Sequence, residues 1–182
     1  LIGTNNVDTN SRLCMSSAVA GYKRTLGADA PPCCYDDIAD ASLVFIAGAN
    51  PAIAHPIVFR RIEDARAANP DLRLVVADPR RSETAELADL HLALRPGTDI
   101  ALMNAMLHVL IAEGHVDRDY VARHTSGFDE LEAIASAMSP AEAAGICGLP
   151  VEQIVKAARW FGEAEAPLSF YCQGLNQSVH GT

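Results

Sequence analysis

At 182 residues the chain is long enough for one domain of ordinary size with a real core. Hydrophobic residues make up 49 % of it, which excludes a disordered chain, and a net charge of −9 excludes a nucleic-acid groove, where phosphates demand a concentrated basic surface. Five cysteines (Cys14, Cys33, Cys34, Cys147 and Cys172) follow no framework spacing and contain no CxxC. The expectation is a reducing compartment, no structural zinc site, and the neighbours Cys33 and Cys34 as two packed thiols.

The chain begins at Leu1 without signal-peptide anatomy and stops in the polar stretch "YCQGLNQSVHGT". Both ends read as cut, so an internal piece of a larger chain is expected. "CMSSAVAGYKRTLG" is helix-compatible and closes at Gly27 as a C-cap, after which Pro31 and Pro32 break the chain. "SLVFIAG" is a continuous apolar run of the kind buried on both faces of a sheet. "HPIVFRRIEDARAAN" follows as an amphipathic helix with Pro56 near its start. "LRLVVAD" reads as a second strand, "SETAELA" as a short helix opened by Ser82, and "LHLAL" as a third strand.

"GTDIALMNAMLHVLIAEG" is a long buried helix with Thr98 or Asp99 as its N-cap and His108 as a core histidine. Its apolar run is too short for a bilayer, which needs about 20 apolar residues. Two or three short helices fill 117–148, "PVEQIVKAARWFGEA" is a helix begun by Pro150, and "APLSFYCQG" is the last strand. Strands alternating with helices imply an α/β fold: a mostly parallel, doubly wound sheet with helices on both faces, in a Rossmann-like three-layer αβα arrangement. The whole of 1–182 is expected to form that single domain.

Ligands of open α/β sheets bind at the carboxyl ends of the strands. Here those ends read "AGANPA", "ADPRRSET", "RPGTD" and "YCQGLNQ", each with Gly or Pro beside a side chain that hydrogen-bonds. Gly48 lets backbone approach a bulky group, although it lacks the rest of GxGxxG. Asp78 stands where dinucleotide-binding folds put an acid on ribose, or it forms an Asx turn before Pro79. Arg80 and Arg81 meet a pyrophosphate or a base, or are a solvated pair. Asp99, after Gly97 and Thr98, accepts two parallel bonds from the N–H edge of guanine, or caps a helix. Gln173, Asn176 and Gln177 add amides that both donate and accept. Cys14 is either a buried thiol or a reactive, metal-binding sulfur. No GxxxxGK[ST], GxSxG or HExxH occurs, and no Cys–His dyad follows from spacing.

Four stretches, "TNNVDTNSRLCMSSAVAGY", "IAGANPAIAHPIVFRRIEDA", "VVADPRRSETAELADLHLALRPGTDIALMNAMLHV" and "YCQGLNQSVHG", together resemble the molybdopterin oxidoreductases of the DMSO-reductase superfamily. Within it they are most similar to the catalytic chains of bacterial assimilatory nitrate reductases, over essentially the whole chain. The resemblance implies that Cys14 supplies a thiolate to molybdenum. A soft anionic sulfur suits that metal, and Arg12 beside it at a helix start favours the anion. Met15 completes the implied catalytic pair: nitrate reductases of the family carry Met after the ligand Cys, whereas formate dehydrogenases typically carry His there. Gly48, Ala49 and Asn50, Asp78 to Ser82 (Asp78, Pro79, Arg80, Arg81, Ser82), Gly97 to Asp99, and Gln173, Gly174, Asn176 and Gln177 match stretches that hold molybdopterin guanine dinucleotide, two per metal.

The implied reaction is reduction of nitrate to nitrite by oxygen-atom transfer at molybdenum. Electrons arrive from an electron-donor protein or domain through a [4Fe–4S] cluster bound upstream of this chain, so the fragment alone is expected to be inactive. Nucleic acid and membrane are not expected partners, and the implied location is cytoplasmic. The alternatives are formate dehydrogenase or another superfamily oxidoreductase and, in a different class, a non-catalytic nucleotide-binding module in which Cys14 is a packed thiol.

Overall fold

A computed structural model describes residues 3–178 and 181. In chain order the elements are α1 (Ser11–Cys14), α2 (Ser16–Thr25), α3 (Asp37–Asp40), β1 (Leu43–Ala47), α4 (Pro51–Ala54), α5 (Pro56–Ala68), β2 (Arg73–Ala77), α6 (Glu83–Glu86) and β3 (Leu90–Leu92). Then come α7 (Asp99–Ala112), α8 (Arg118–His124), α9 (Phe128–Ser136), α10 (Pro140–Cys147), α11 (Val151–Glu163), β4 (Pro167–Tyr171) and α12 (Gln173–Asn176). Among the described residues no helix is long and apolar enough to cross a membrane.

The strands form one sheet in the order β3-β2-β1-β4, and every pairing is parallel. Side chains alternate across the pleat, so β1 and β2 feed two cores, while Leu90 and Leu92 of β3 enter one. Phe45, Ala47, Val75, Ala77 and Leu92 pack with Leu102 and Met106 of α7, Cys147 of α10 and Ile154 of α11. Val44, Ile46, Leu74 and Val76 pack with Ile38 of α3, Phe59 and Ile62 of α5 and Ala85 of α6. The expected three-layer α/β arrangement is therefore the one observed.

Local signals explain most boundaries. Pro56 opens α5, and Ser139 with Glu142 forms a capping box at the start of α10. The Ser139 hydroxyl is the largest influence holding the Glu142 carboxyl below the usual range. Gly27 follows the end of α2 at φ +80°, as a helix stop requires. His108 is half-buried on α7, with Nδ1 3.2 Å from the Ala135 carbonyl oxygen. Cys33 and Cys34 depart from expectation: both are exposed, in a loop that contributes no core face. The Asp37 carboxylate instead accepts the Cys34 backbone N–H at 2.7 Å and its thiol at 3.5 Å.

From β1 the chain proceeds outward to β2 and β3, then returns through α7 to α11 and enters β4 on the other side of β1. This reversal makes the carboxyl ends of β1 and β4 the switch point of the sheet. The backbones touch there: the Gly174 N–H donates to the Gly48 carbonyl at 3.0 Å, and the Gly48 N–H to that of Ala77 at 3.0 Å. A Cβ on Gly174 would lie 2.6 Å from the Gly48 Cα, and one on Gly48 would lie 2.7 Å from Leu175 Cδ1. The room Gly48 leaves is thus taken up by the chain itself. Gly174→Ala is expected to lower the thermal midpoint of the intact protein by an overpacking cost of about 1–3 kcal/mol. Gly145→Ala, inside α10 with nothing within 4 Å of the new Cβ, is the control and should be neutral or stabilising. Equal midpoints for the two variants would refute the close approach.

Candidate functional site

The stretch expected to be one helix from Cys14 to Gly27 is two. Helix α1 ends at Cys14, Met15 leaves helical geometry at φ −117° and ψ 20°, and α2 starts at Ser16. The break puts the Cys14 side chain at a corner instead of within a helix face. Met15 is 43 % exposed on the outside of that corner. The expected neighbour charge is absent, because Arg12 turns to Asp8, with guanidinium–carboxylate distances of 2.6–2.9 Å. Arg12 is the largest influence drawing the Asp8 carboxyl below its ordinary range.

What faces Cys14 comes from the other end of the chain. Gln173 Nε2 and Gln177 Nε2 each donate to Cys14 Sγ at 3.5 Å. Between them lies Asn176, 4 % exposed, whose Nδ2 donates to the Cys14 carbonyl at 2.8 Å and to Gln173 Oε1 at 2.7 Å. Its Oδ1 accepts the Ala18 N–H at 2.9 Å. Ala18 lies in the first turn of α2, whose N-cap Met15 offers no side-chain acceptor, so Asn176 caps that helix from 158 positions away. The Asn176 amide thus ties Cys14, Gln173 and α2 together. The Q-x-x-N-Q spacing at i, i+3 and i+4 is the signal that places all three amides on one turn.

The loop after β1 is tied to the loop after β2. Asn50 Oδ1 accepts the Thr84 hydroxyl at 2.7 Å, and Asn50 Nδ2 donates to Glu83 Oε2 at 2.8 Å. Thr84, fully buried, in turn accepts the Ala52 N–H at 3.1 Å. Sequence reasoning missed Thr84 and Glu83; a hydroxyl residue two positions after the Ser82 N-cap was the available clue. Ser82 is 2 % exposed and caps α6, its Oγ accepting the Ala85 N–H at 3.4 Å. Asp78 forms the Asx turn, Oδ1 accepting the Arg80 N–H at 2.8 Å. Its carbonyl lies 2.9 Å from His91 Nε2. Ala49 is half-buried after Gly48, while Pro79, Arg80 and Arg81 are exposed. Among the described residues neither of these guanidinium groups forms a salt bridge.

Asp99 is the first residue of α7 and not its cap. Thr98 holds the cap position but donates its hydroxyl to the Arg95 carbonyl at 2.7 Å. The turn through Gly97, at φ +80°, is anchored by Arg95, which donates to the carbonyls of Gly145 at 2.8 Å and Ile146 at 3.2 Å. Arg95 was also missed; nothing local to it announces a partner fifty residues on. Burial pushes the Asp99 carboxyl up, its own backbone N–H works against that, and the negative charge of Asp78 adds to the rise. The two acids from separate strand ends thus feel one another across the sheet edge. Gln173 and Gln177 meet Cys14, which Met15 follows, and Gly48 meets Gly174; Asn50, Asp78 and Ser82 follow β1 and β2, and Asp99 opens α7 after β3. Val179 and His180 of the last motif lie outside the described residues.

Two outcomes follow from this geometry. Asn176→Leu strips partners from the buried Ala18 N–H, at about 1–3 kcal/mol, and from the part-buried Cys14 carbonyl, at less, and should lower the urea midpoint accordingly. A midpoint within error of wild type would contradict the clamp. For Asp99, a folded pKa above the unfolded value means that the folded state resists ionisation. The carboxylate therefore costs stability once pH passes above about 4, where the unfolded chain ionises, and costs nothing below that. Asp99→Asn should raise the urea midpoint of the cofactor-free protein at neutral pH, an advantage that fades on acidification below about pH 4.

A family model described as molybdopterin oxidoreductase matches residues 1–182. The chain is 43 % identical over 181 residues to the nitrate reductase of Synechocystis sp., covering 100 % of this chain and 25 % of that protein. It is 44 % identical over 188 residues to the periplasmic nitrate reductase of Desulfovibrio desulfuricans, covering 98 % of this chain and 25 % of that one. F420-dependent formate dehydrogenase 1 subunit alpha of Methanococcus maripaludis is 39 % identical over 181 residues, covering 100 % of this chain and 27 % of its own length. Among solved structures, acetylene hydratase from Pelobacter acetylenicus is similar at a TM-score of 0.68 and 29 % identity, over 76 % of this chain and 19 % of that chain. The chain spans about a quarter of the length of the curated relatives it matches. With its parallel sheet, its switch-point glycines and a match along its whole length, the chain belongs to the molybdopterin oxidoreductase family.

Proposed function

We propose that residues 1–182 form the cofactor-binding α/β domain within the catalytic chain of a molybdenum nitrate reductase, with Cys14 as the protein ligand to the metal. The observation that carries this reading is the placement of the Cys14 sulfur beside the switch-point loop, against two amide donors from the end of β4. The donor set fits the family's group. Among the described residues no cluster of three His, Cys, Asp or Glu is arranged to hold a metal ion. Cys14 would hold a metal here through one soft sulfur, a donor suited to a transition metal.

When bound, that cofactor supplies the two-electron chemistry that removes an oxygen atom from nitrate and leaves nitrite. The chain's own residues bind and orient. Cys14 holds the metal, and Asn176 fixes the corner from which it does so. Met15, exposed beside Cys14, lines the approach and carries the preference for nitrate over formate. Asp99, partly desolvated and acceptor-only, takes the N–H edge of a guanine, which supports the dinucleotide form of the cofactor. Arg80 and Arg81, exposed at the same edge, meet its phosphates. The Asp78 carboxylate takes ribose hydroxyls beyond its Asx turn, and Gly48, Ala49, Gly97, Thr98 and Gly174 shape the backbone walls. Asn50, Pro79 and Ser82 serve by holding those walls.

Electrons reach the site from a donor protein or domain through a [4Fe–4S] cluster in the rest of the catalytic chain. Its compartment is the cytoplasm, a reading supported by the relative from Haloferax mediterranei, named an assimilatory nitrate reductase, and opposed by the one from Desulfovibrio desulfuricans, named periplasmic. The competing reading is formate oxidation, favoured by the formate dehydrogenase relatives and opposed by Cys-Met at positions 14 and 15.

The test uses the intact catalytic chain, loaded with cofactor and purified anaerobically, assayed with reduced viologen for nitrate and in parallel for formate. Nitrate turnover is expected, falling at least about 100-fold in Cys14→Ala, since loss of even an outer partner of a metal costs roughly 10- to 100-fold. Formate turnover without nitrate turnover would transfer the chain to the sister activity. Undiminished nitrate turnover in Cys14→Ala would remove the sulfur from the mechanism.

A further inference from the structure

The two N–H···S contacts have a consequence for the electronics of the metal. Gln173 and Gln177 stand one helical turn apart, and both direct an amide donor to Cys14 Sγ at 3.5 Å. The two are not equivalent. Gln173 is fixed from its other end, its Oε1 accepting from Asn176 Nδ2 at 2.7 Å, whereas the Gln177 side chain makes no other bond among the described residues. Neither glutamine carries charge, and among the described residues no cation reaches the sulfur, because Arg12 is engaged by Asp8. Among the described residues these two amides are the side-chain donors that reach the sulfur.

An N–H donor pointed at a thiolate draws electron density away from the metal that the thiolate binds, which stabilises the reduced metal relative to the oxidised one. Resting on the reading of Cys14 as the molybdenum ligand, we infer that Gln173 and Gln177 are positioning residues that hold the Cys14 sulfur and raise the reduction potential of the metal. They act through the sulfur, while Asn176 holds the backbone beneath it. This role differs from contact with the dinucleotide: it predicts that potential, more than cofactor affinity, responds to the donor capacity of position 177.

The experiment follows the holoenzyme by potentiometric titration, monitoring the Mo(V) electron paramagnetic resonance signal in wild type, Gln177→Met, Gln177→Glu and Cys14→Ser. Gln177→Met removes the donor at similar length and leaves the Asn176 clamp intact; Gln177→Glu replaces the donor with an anion. The expected result is a midpoint potential that falls from wild type to Gln177→Met and falls again in Gln177→Glu, with molybdenum content and thermal midpoint of Gln177→Met unchanged. Potentials equal to wild type in both position-177 variants, with a Cys14→Ser spectrum that differs from wild type, would overturn the inference and leave Cys14 as ligand. A Cys14→Ser spectrum identical to wild type would overturn the ligand reading itself, and this inference with it.

Discussion

Strand β1 is paired along its length with β2 on one edge and β4 on the other, and the site geometry depends on that double pairing. The chain leaves β1 in one direction and comes back to it from the other, so the loops at its carboxyl end and at that of β4 part from one another. They are nevertheless in backbone contact, because Gly48 and Gly174 have no side chains to keep them apart. A wedge there would move the start of α12, and with it Gln173, Asn176 and Gln177. Those three residues hold the corner that displays Cys14. A packing constraint at the sheet centre therefore reaches the sulfur within a few bonds.

The second feature is the separation between groups already satisfied within the chain and groups left for something else. Asn50, Ser82, Thr84 and Asn176 are engaged by backbone and side-chain partners and make the loops rigid. Asp99 differs, since burial and Asp78 both work against its charge. A carboxylate kept in such surroundings gains most from a ligand that brings N–H donors to it. The exposed Arg80 and Arg81 lie on the same strand-end loop as Asp78, so cationic and anionic groups border one edge of a chain that is acidic as a whole.

Much of this was legible from residue order. Apolar runs bounded by Gly, Pro and Asp located the four strands, and their alternation with helices predicted a parallel sheet whose carboxyl edge gathers the polar motifs. Alternatives at single residues stayed open for a physical reason: an Asp before a Pro, or at a helix start, has local uses that need no ligand. Asp78 proved to make its Asx turn, and Asp99 proved not to be a cap. Cys33 and Cys34 misled because the tendency of free cysteine to be buried is an average, and a loop after two prolines offers no core to enter. Arg12 misled because an acid four positions earlier, Asp8, takes its guanidinium.

By itself the sequence determined the layer architecture, the strands and the list of polar groups at the sheet edge, since these depend on short-range periodicity and on residues a few positions apart. Only the tertiary structure decided which groups meet. Which groups Asn176 engages, whether the Cys14 sulfur sees a guanidinium or two amides, and how closely Gly48 meets Gly174 all turn on segments more than a hundred residues apart. Those segments are brought together by the burial of β1 between its two neighbours, and no local pattern encodes the atoms that end up opposite one another.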